Sequence, residues 1–179
     1  LRHLTAHACE LHVDAANIFL AGSSAGAQIA AQLANAIGDP AYAARVPIEA
    51  PIARTQLGGA ILYSGAYELS LVDLTGPYAF IVRTALWSYS GTRDFANDPQ
   101  LDPASVARHL SPRFPATFIS AGNADPLLEQ SRAFADALTR AGVAVDALFF
   151  RADHEPKLPH EYQFDLETAA GQAPLARSV

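Results

Sequence analysis

The sequence predicts an α/β fold, a mostly parallel sheet with helices on both faces, and three observations carry that reading. Short apolar runs bounded by turn residues recur at 17–22, 58–65, 116–122 and 143–150. Helix-period stretches stand between or after them, the strongest being "PLLEQSRAFADALTRAG" at 126–142. No repeat, low-complexity tract or cysteine framework competes with this pattern. Strands alternating with helices imply a parallel sheet covered on both sides. In such sheets chemistry collects just beyond the carboxyl ends of the strands.

Each element has its own signal. Leu1, Leu4, Ala8 and Leu11 fall at helical spacing and predict a helix over 1–12, joined as though already under way. "NIFLAG" (17–22) reads as a buried strand, followed by a helix from Ala25 to Ile37 that Gly38-Asp39-Pro40 stops. A loop rich in Pro and Ala leads to the strand "GGAILYSG" (58–65). "YAFIVRTALWSYSG" reads as an apolar helix packed over something, "GTRDFANDPQLDP" as loop and "ASVARHL" as a short helix. "ATFISAG" (116–122) is the third strand, the helix at 126–142 ends at Gly142, and "VAVDALFF" (143–150) is the fourth strand. The tail is helical from Tyr162 to Ala170, with Gly171 ending it.

Composition narrows the function classes. Half of the 179 residues are hydrophobic and 17% are charged, an ordinary soluble globular balance for one domain. The net charge is −6 and the 12 basic residues are scattered, so no basic stripe suits nucleic acid. No apolar run is long enough to span a bilayer. Cys9 stands alone, which excludes an internal disulfide and a cysteine-based zinc site. One cysteine and no signal-peptide pattern at 1–13 favour a cytoplasmic setting.

Gly22-Ser23-Ser24-Ala25-Gly26 fits G-x-S-x-G, a pattern that chance produces in roughly a few per cent of chains this size. Its place, directly after a strand and directly before a helix, is where a nucleophile elbow forms. Such a turn exposes Ser24 at strained angles, and a side chain at 22 or 26 is expected to collide with neighbouring chain. The helix opening at Ala25 aims its free N–H groups and positive dipole end at the site, with the Ala25 N–H as the natural oxyanion donor. The motif alone leaves a second reading open, a small-residue turn with Ser23 or Ser24 as helix N-cap. Ser23 reads as the spacer.

A serine hydroxyl needs an imidazole to take its proton and a carboxylate to hold the imidazole's tautomer. Asp125 lies just past the third strand, before Pro126, where it also suits a helix cap. Beyond the fourth strand, "RADHEPKLPHEYQF" offers His154 and His160. His3, His7 and His12 precede the first strand; "HLTAH" has the H-x-x-x-H spacing, but Leu4 occupies the place of a general-base Glu and no third ligand accompanies it. His109 lies away from any strand's carboxyl end. Neither a dinucleotide fingerprint nor a phosphate loop is present, so the sequence calls for no cofactor and no metal.

Taken together, these residues resemble the α/β-hydrolase fold, and more narrowly the hormone-sensitive-lipase-like esterases of bacteria. "VDAANIFLAGSSAGAQIAAQLA", "LSPRFPATFISAGNADPLLEQSRAFADALTRAGV" and "HEYQF" carry the likeness across most of the chain. The resemblance implies Ser24 as nucleophile, Asp125 as the acid of a D-P-L motif and His160, rather than His154, as the base. It implies a carboxylic ester hydrolase acting on a small-molecule ester through an acyl-enzyme, with residues 1–179 as one catalytic domain incomplete at its N-terminus. Residues 66–101 then form a lid or pocket-lining insertion, with Tyr78, Phe80, Ile81, Leu86 and Trp87 either lining an acyl pocket or packing as core. The same triad would serve an amidase, peptidase, thioesterase or acyltransferase, and some relatives bind ligands without turnover.

Two departures stand out. The family's acidic residue before the nucleophile is Ser23 here. The family's His-Gly-Gly oxyanion motif has no counterpart in these residues and is expected upstream. The strand at 17–22, central by resemblance, is then expected to present an unpaired apolar edge that pairs with an upstream fragment or with a second copy.

Overall fold

The computed structural model describes residues 1–76 and 79–178, and of Ala96 the backbone alone. Four strands, β1 (Ile18–Ser23), β2 (Leu57–Tyr63), β3 (Thr117–Ala121) and β4 (Val145–Phe149), form one sheet in the order β1-β2-β3-β4. Every neighbouring pair is parallel. Leu20 sits opposite Ala60, Leu62 opposite Ile119 and Ile119 opposite Ala147. The carboxyl ends of β1, β2 and β3 therefore fall on one rim.

α2 (Ala25–Gly38) packs on β1 and β2, and α5 (Leu128–Arg140) on β3 and β4. Ala27, Ala30, Ala31 and Ala34 recur at i, i+3, i+4 and i+7 and are buried, so the first turns of α2 meet the sheet through methyl groups, with Leu33 and Ile37 adding larger side chains further along. Leu20, Leu62, Ile119, Phe134 and Leu138 complete this core. On the other face, α6 (Ala169–Ser178) ties to the sheet through Arg177 Nε to Asp146 Oδ2 at 3.1 Å and Ser178 Oγ to Tyr63 Oη at 3.1 Å.

Several expected elements differ. The first helix, α1 (Arg2–Ala6), is short and has no buried residue, so nothing stabilises the turns beyond His7 as helix. The Pro- and Ala-rich stretch contains α3 (Pro40–Arg45), started by the Asp39 carboxylate accepting from Ala41 N–H at 2.9 Å and by Pro40 in the first turn. "ASVARHL" contributes a 3₁₀ turn at Val106–His109. In the tail, Tyr162–Phe164 is a 3₁₀ turn and the helix begins later. Gly171 lies inside α6 rather than ending it, and serves close packing there, since a Cβ would stand 2.0 Å from the Asp165 carbonyl oxygen.

α4 (Ala79–Ser90) forms as the apolar run implies, but none of its residues is buried. Phe80 and Ile81 are 80% and 64% exposed, which corrects the expectation of a helix packed over something. Ala79, Val82 and Leu86, at helical spacing, are half-buried on one side, and Phe80 and Ile81 lie off that side. Tyr78, grouped with these residues from sequence, lies outside the described residues. β1 is an edge strand, and Phe19 on it is 54% exposed. No helix of the described residues is long and apolar enough to cross a membrane.

Candidate active site

The site begins where β1 ends. Ser24 adopts φ 55°, ψ −122°, a conformation that costs about 1–3 kcal/mol in a residue with a side chain. Its N–H donates to the Tyr63 carbonyl at the end of β2 (2.9 Å), which pins the turn to the neighbouring strand. Gly22 makes the turn feasible: a Cβ there would lie 2.3 Å from the Gly26 carbonyl oxygen. Gly26 does not share that role, since a Cβ on it meets nothing within 4 Å. It stands in the first turn of α2 on that helix's exposed side, which corrects the expected collision at position 26.

Ser24 occupies the N-cap position of α2, yet its side chain caps nothing. The hydroxyl turns instead to His160, with Oγ 3.0 Å from Nε2. Ala25 opens α2, and helix geometry leaves its N–H without an intrahelical acceptor beside that hydroxyl.

Asp125 follows β3, and its side chain is fully buried. Both carboxylate oxygens lie 3.1 Å from His160 Nδ1. Oδ1 also accepts from Leu127 N–H at 2.7 Å, so the residue anchors the start of the α5 segment while facing the imidazole. The capping role and the role toward His160 coexist in one carboxylate. Burial works to raise the Asp125 pKa, but the bonds from His160 and Leu127 outweigh it and hold the group below the usual aspartate range. The buried Ser64 hydroxyl lies against this carboxylate and favours its charge as well, although it makes no well-formed hydrogen bond. In turn, the bond to Asp125 raises the His160 pKa against the opposing effect of partial burial.

His160 sits on a loop held by several ties. Leu158 N–H donates to Asn123 Oδ1 (2.8 Å), and Ala124 N–H donates to the Leu158 carbonyl (2.9 Å). Gly122 permits this approach, since a Cβ on it would stand 2.2 Å from the Leu158 oxygen. Tyr162 Oη meets Ser120 Oγ at 2.6 Å behind the loop. Ser23 Oγ donates to Glu161 Oε1 at 2.8 Å and accepts from Gln163 Nε2 at 3.0 Å. Sequence reading treated Ser23 as a spacer and did not single out Glu161, Gln163, Asn123 or Gly122. The one signal available for the first two was the polar residues after His160 in "HEYQF".

The remaining histidines lie elsewhere. His154 stacks beside Phe150 with ring centroids 4.7 Å apart, and its carbonyl accepts from Asn123. His3 and His7 are exposed neighbours on α1, with His7 Nδ1 3.2 Å from Glu10. His109 contacts Arg45 and Asp102 near α3. Among the described residues no group of three His, Cys, Asp or Glu side chains is arranged to hold a metal ion.

A four-stranded parallel sheet thus carries a strained serine at a strand-to-helix turn, facing an imidazole and a buried carboxylate. The profile of the α/β-hydrolase fold family matches residues 1–162, and the chain belongs to that family. Its solved structural neighbours include esterases. Esterase B from Lactobacillus rhamnosis superposes with a TM-score of 0.75 at 20% identity, covering 99% of this chain and 56% of that one. Esterase LipW from Mycobacterium marinum gives 0.69 at 23% identity, covering 98% and 51%. The carboxylesterase Cest-2923 from Lactobacillus plantarum gives 0.70 at 18% identity, covering 99% and 61%. The chain thus spans little more than half the length of the structures it matches. Sequence comparison with curated proteins returns no match.

Proposed function

We propose that this chain carries the catalytic triad of a carboxylic ester hydrolase, with Ser24 as nucleophile, His160 as general base and acid, and Asp125 as the orienting carboxylate. The observation that carries the reading is the unbroken chain of contacts from Asp125 through both ring nitrogens of His160 to Ser24 Oγ. Ser24 Oγ attacks the ester carbonyl carbon while its proton passes to Nε2. The resulting oxyanion accepts from the Ala25 N–H and from donors of the upstream segment that the resemblance implies. Collapse breaks the bond to the alkoxy group, which leaves with the proton from His160. Water, deprotonated by the same imidazole, then hydrolyses the acyl-enzyme and restores Ser24.

Asp125 stays ionised throughout, because its depressed pKa keeps it charged at neutral pH. It holds the proton on Nδ1, so that Nε2 is free to accept. The substrate class is a small-molecule ester, a choice supported by the esterase neighbours and by the family. The exposed apolar side chains of α4 support a lid or pocket-lining role for the middle of residues 66–101, while Tyr67 at the start of that segment is core.

The test is Ser24→Ala in the full-length protein. Turnover of short p-nitrophenyl esters is expected to fall by at least about 10³-fold, in line with removal of a triad member. Turnover near the wild-type level overturns the mechanism. A panel of ester, thioester and amide substrates then ranks the acyl-transfer chemistries that share this triad.

A further inference from the structure

We propose that Ser23 is a positioning residue, whose hydroxyl clamps the His160 loop to the nucleophile turn by bonding Glu161 and Gln163 together. The inference deepens the triad reading and rests on it. Ser23 is the last residue of β1 and precedes Ser24, while Glu161 follows His160. The Ser23–Glu161 bond (2.8 Å) therefore runs beside the Ser24–His160 contact (3.0 Å) and spans the same gap between the same two backbone segments. One hydroxyl holds two residues of the segment that follows His160, donating to Glu161 and accepting from Gln163 at 3.0 Å.

Two features show that the loop is shaped to make these bonds. Glu161 adopts φ 61°, a left-handed conformation that a residue with a side chain adopts only when its surroundings hold it there. Gln163 is buried, and its amide nitrogen is spent on Ser23 while its carbonyl oxygen has no partner. Burying a half-satisfied amide is costly, and Ser23 supplies the bond that offsets part of it.

The clamp matters because proton transfer depends on distance. A misplacement of about 1 Å between reacting groups costs roughly 100-fold in rate. The charged groups that face the imidazole are Asp125, from the end of β3, and Glu161, from the His160 loop. α2 and β1, which form the opposite wall, carry no charged residue. Glu161 thus lies where its charge favours the imidazolium, and Ser23 fixes where that charge sits.

Ser23→Ala is expected to lower kcat by about 10- to 100-fold while KM stays within a few-fold, and to slow phosphonate labelling of Ser24 to the same degree. Ser23→Thr, which keeps the hydroxyl, is expected to restore most of both. In a double-mutant cycle on kcat, Ser23→Ala and Glu161→Ala are expected to be strongly non-additive, the double variant being little worse than either single one. Glu161→Gln keeps an acceptor for Ser23 and is expected to shift the acid limb of the pH–rate profile downward with a smaller loss of kcat. A wild-type kcat in folded Ser23→Ala, or additive effects in the cycle, overturns the clamp while leaving the triad intact. If Ser23→Ala does not fold, Glu161→Ala and Gln163→Ala carry the test, and a wild-type kcat in either overturns it. Retained turnover in Ser24→Ala overturns both readings, so the two failures are distinguishable.

Discussion

Ser24 Oγ and His160 Nε2 stand 3.0 Å apart although 136 positions separate them in the chain. The contact depends on backbone more than on side chains. Gly22 lets the nucleophile turn fold back on α2, and Gly122 lets the His160 loop close over the end of β3. Two glycines at strand ends bring the hydroxyl and the imidazole within proton-transfer range.

The first prediction concerns pH. In the proposed mechanism His160 must be neutral to act as base, and its pKa is raised chiefly by Asp125. The acid limb of kcat/KM is therefore expected to have its midpoint above the ordinary histidine value of about 6.5. Asp125→Asn removes that cause, so the limb is expected to move downward while kcat falls by about 10⁴-fold. A pH–rate profile of both proteins measures this, and an unmoved limb contradicts it.

Stability should follow the same pair with opposite signs. The raised His160 pKa contributes stability that is complete below about pH 6.5 and is lost as pH rises through its folded value. The depressed Asp125 pKa contributes stability above about pH 3.9 and loses it as pH falls through its own folded value. Thermal melts of wild type and His160→Gln are expected to differ most in the window between these limits and to converge at alkaline pH.

The two glycines of the nucleophile turn should separate cleanly. Gly22→Ala places a Cβ 2.3 Å from backbone and is expected to destabilise the protein by about 1–3 kcal/mol, with loss of ester turnover. Gly26→Ala meets open space within the first turn of α2 and is expected to be neutral, or stabilising by up to about 1 kcal/mol. Denaturant melts of the two variants test the contrast. Equal effects would contradict the geometry.

These contrasts also mark what the sequence could and could not convey. All four strands lie within two residues of their apolar runs, although only β3 is buried along its whole length. Ser24, Asp125 and His160 stand out as residue types placed just after strands, where this fold class gathers chemistry. Ser23 does not, because its partners Glu161 and Gln163 lie 138 and 140 positions away and only the folded rim brings them together. α1 is shorter than its spacing implies for a related reason: Leu4 and Leu11 keep helical spacing but stay exposed, so the periodicity lacks the packing that extends a helix. Gly26 matched a motif letter, yet no steric need at that position supports it in the described structure.

The last prediction follows from the edge of the sheet. Among the described residues β1 pairs with β2 alone, so its other side is an open strand edge beside an exposed Phe19. Flat apolar edges pair with other strands, and natural sheets block this with charges, above all lysine. These 179 residues produced alone are therefore expected to self-associate, with a light-scattering mass above 19.0 kDa that rises with concentration. Phe19→Lys is expected to shift the population toward the monomer. It leaves the buried side of β1 untouched, since Leu20 and Ile18 point into the core. A wild-type chain that stays monomeric across a hundredfold dilution series contradicts the prediction and would mean that this edge is blocked by other means.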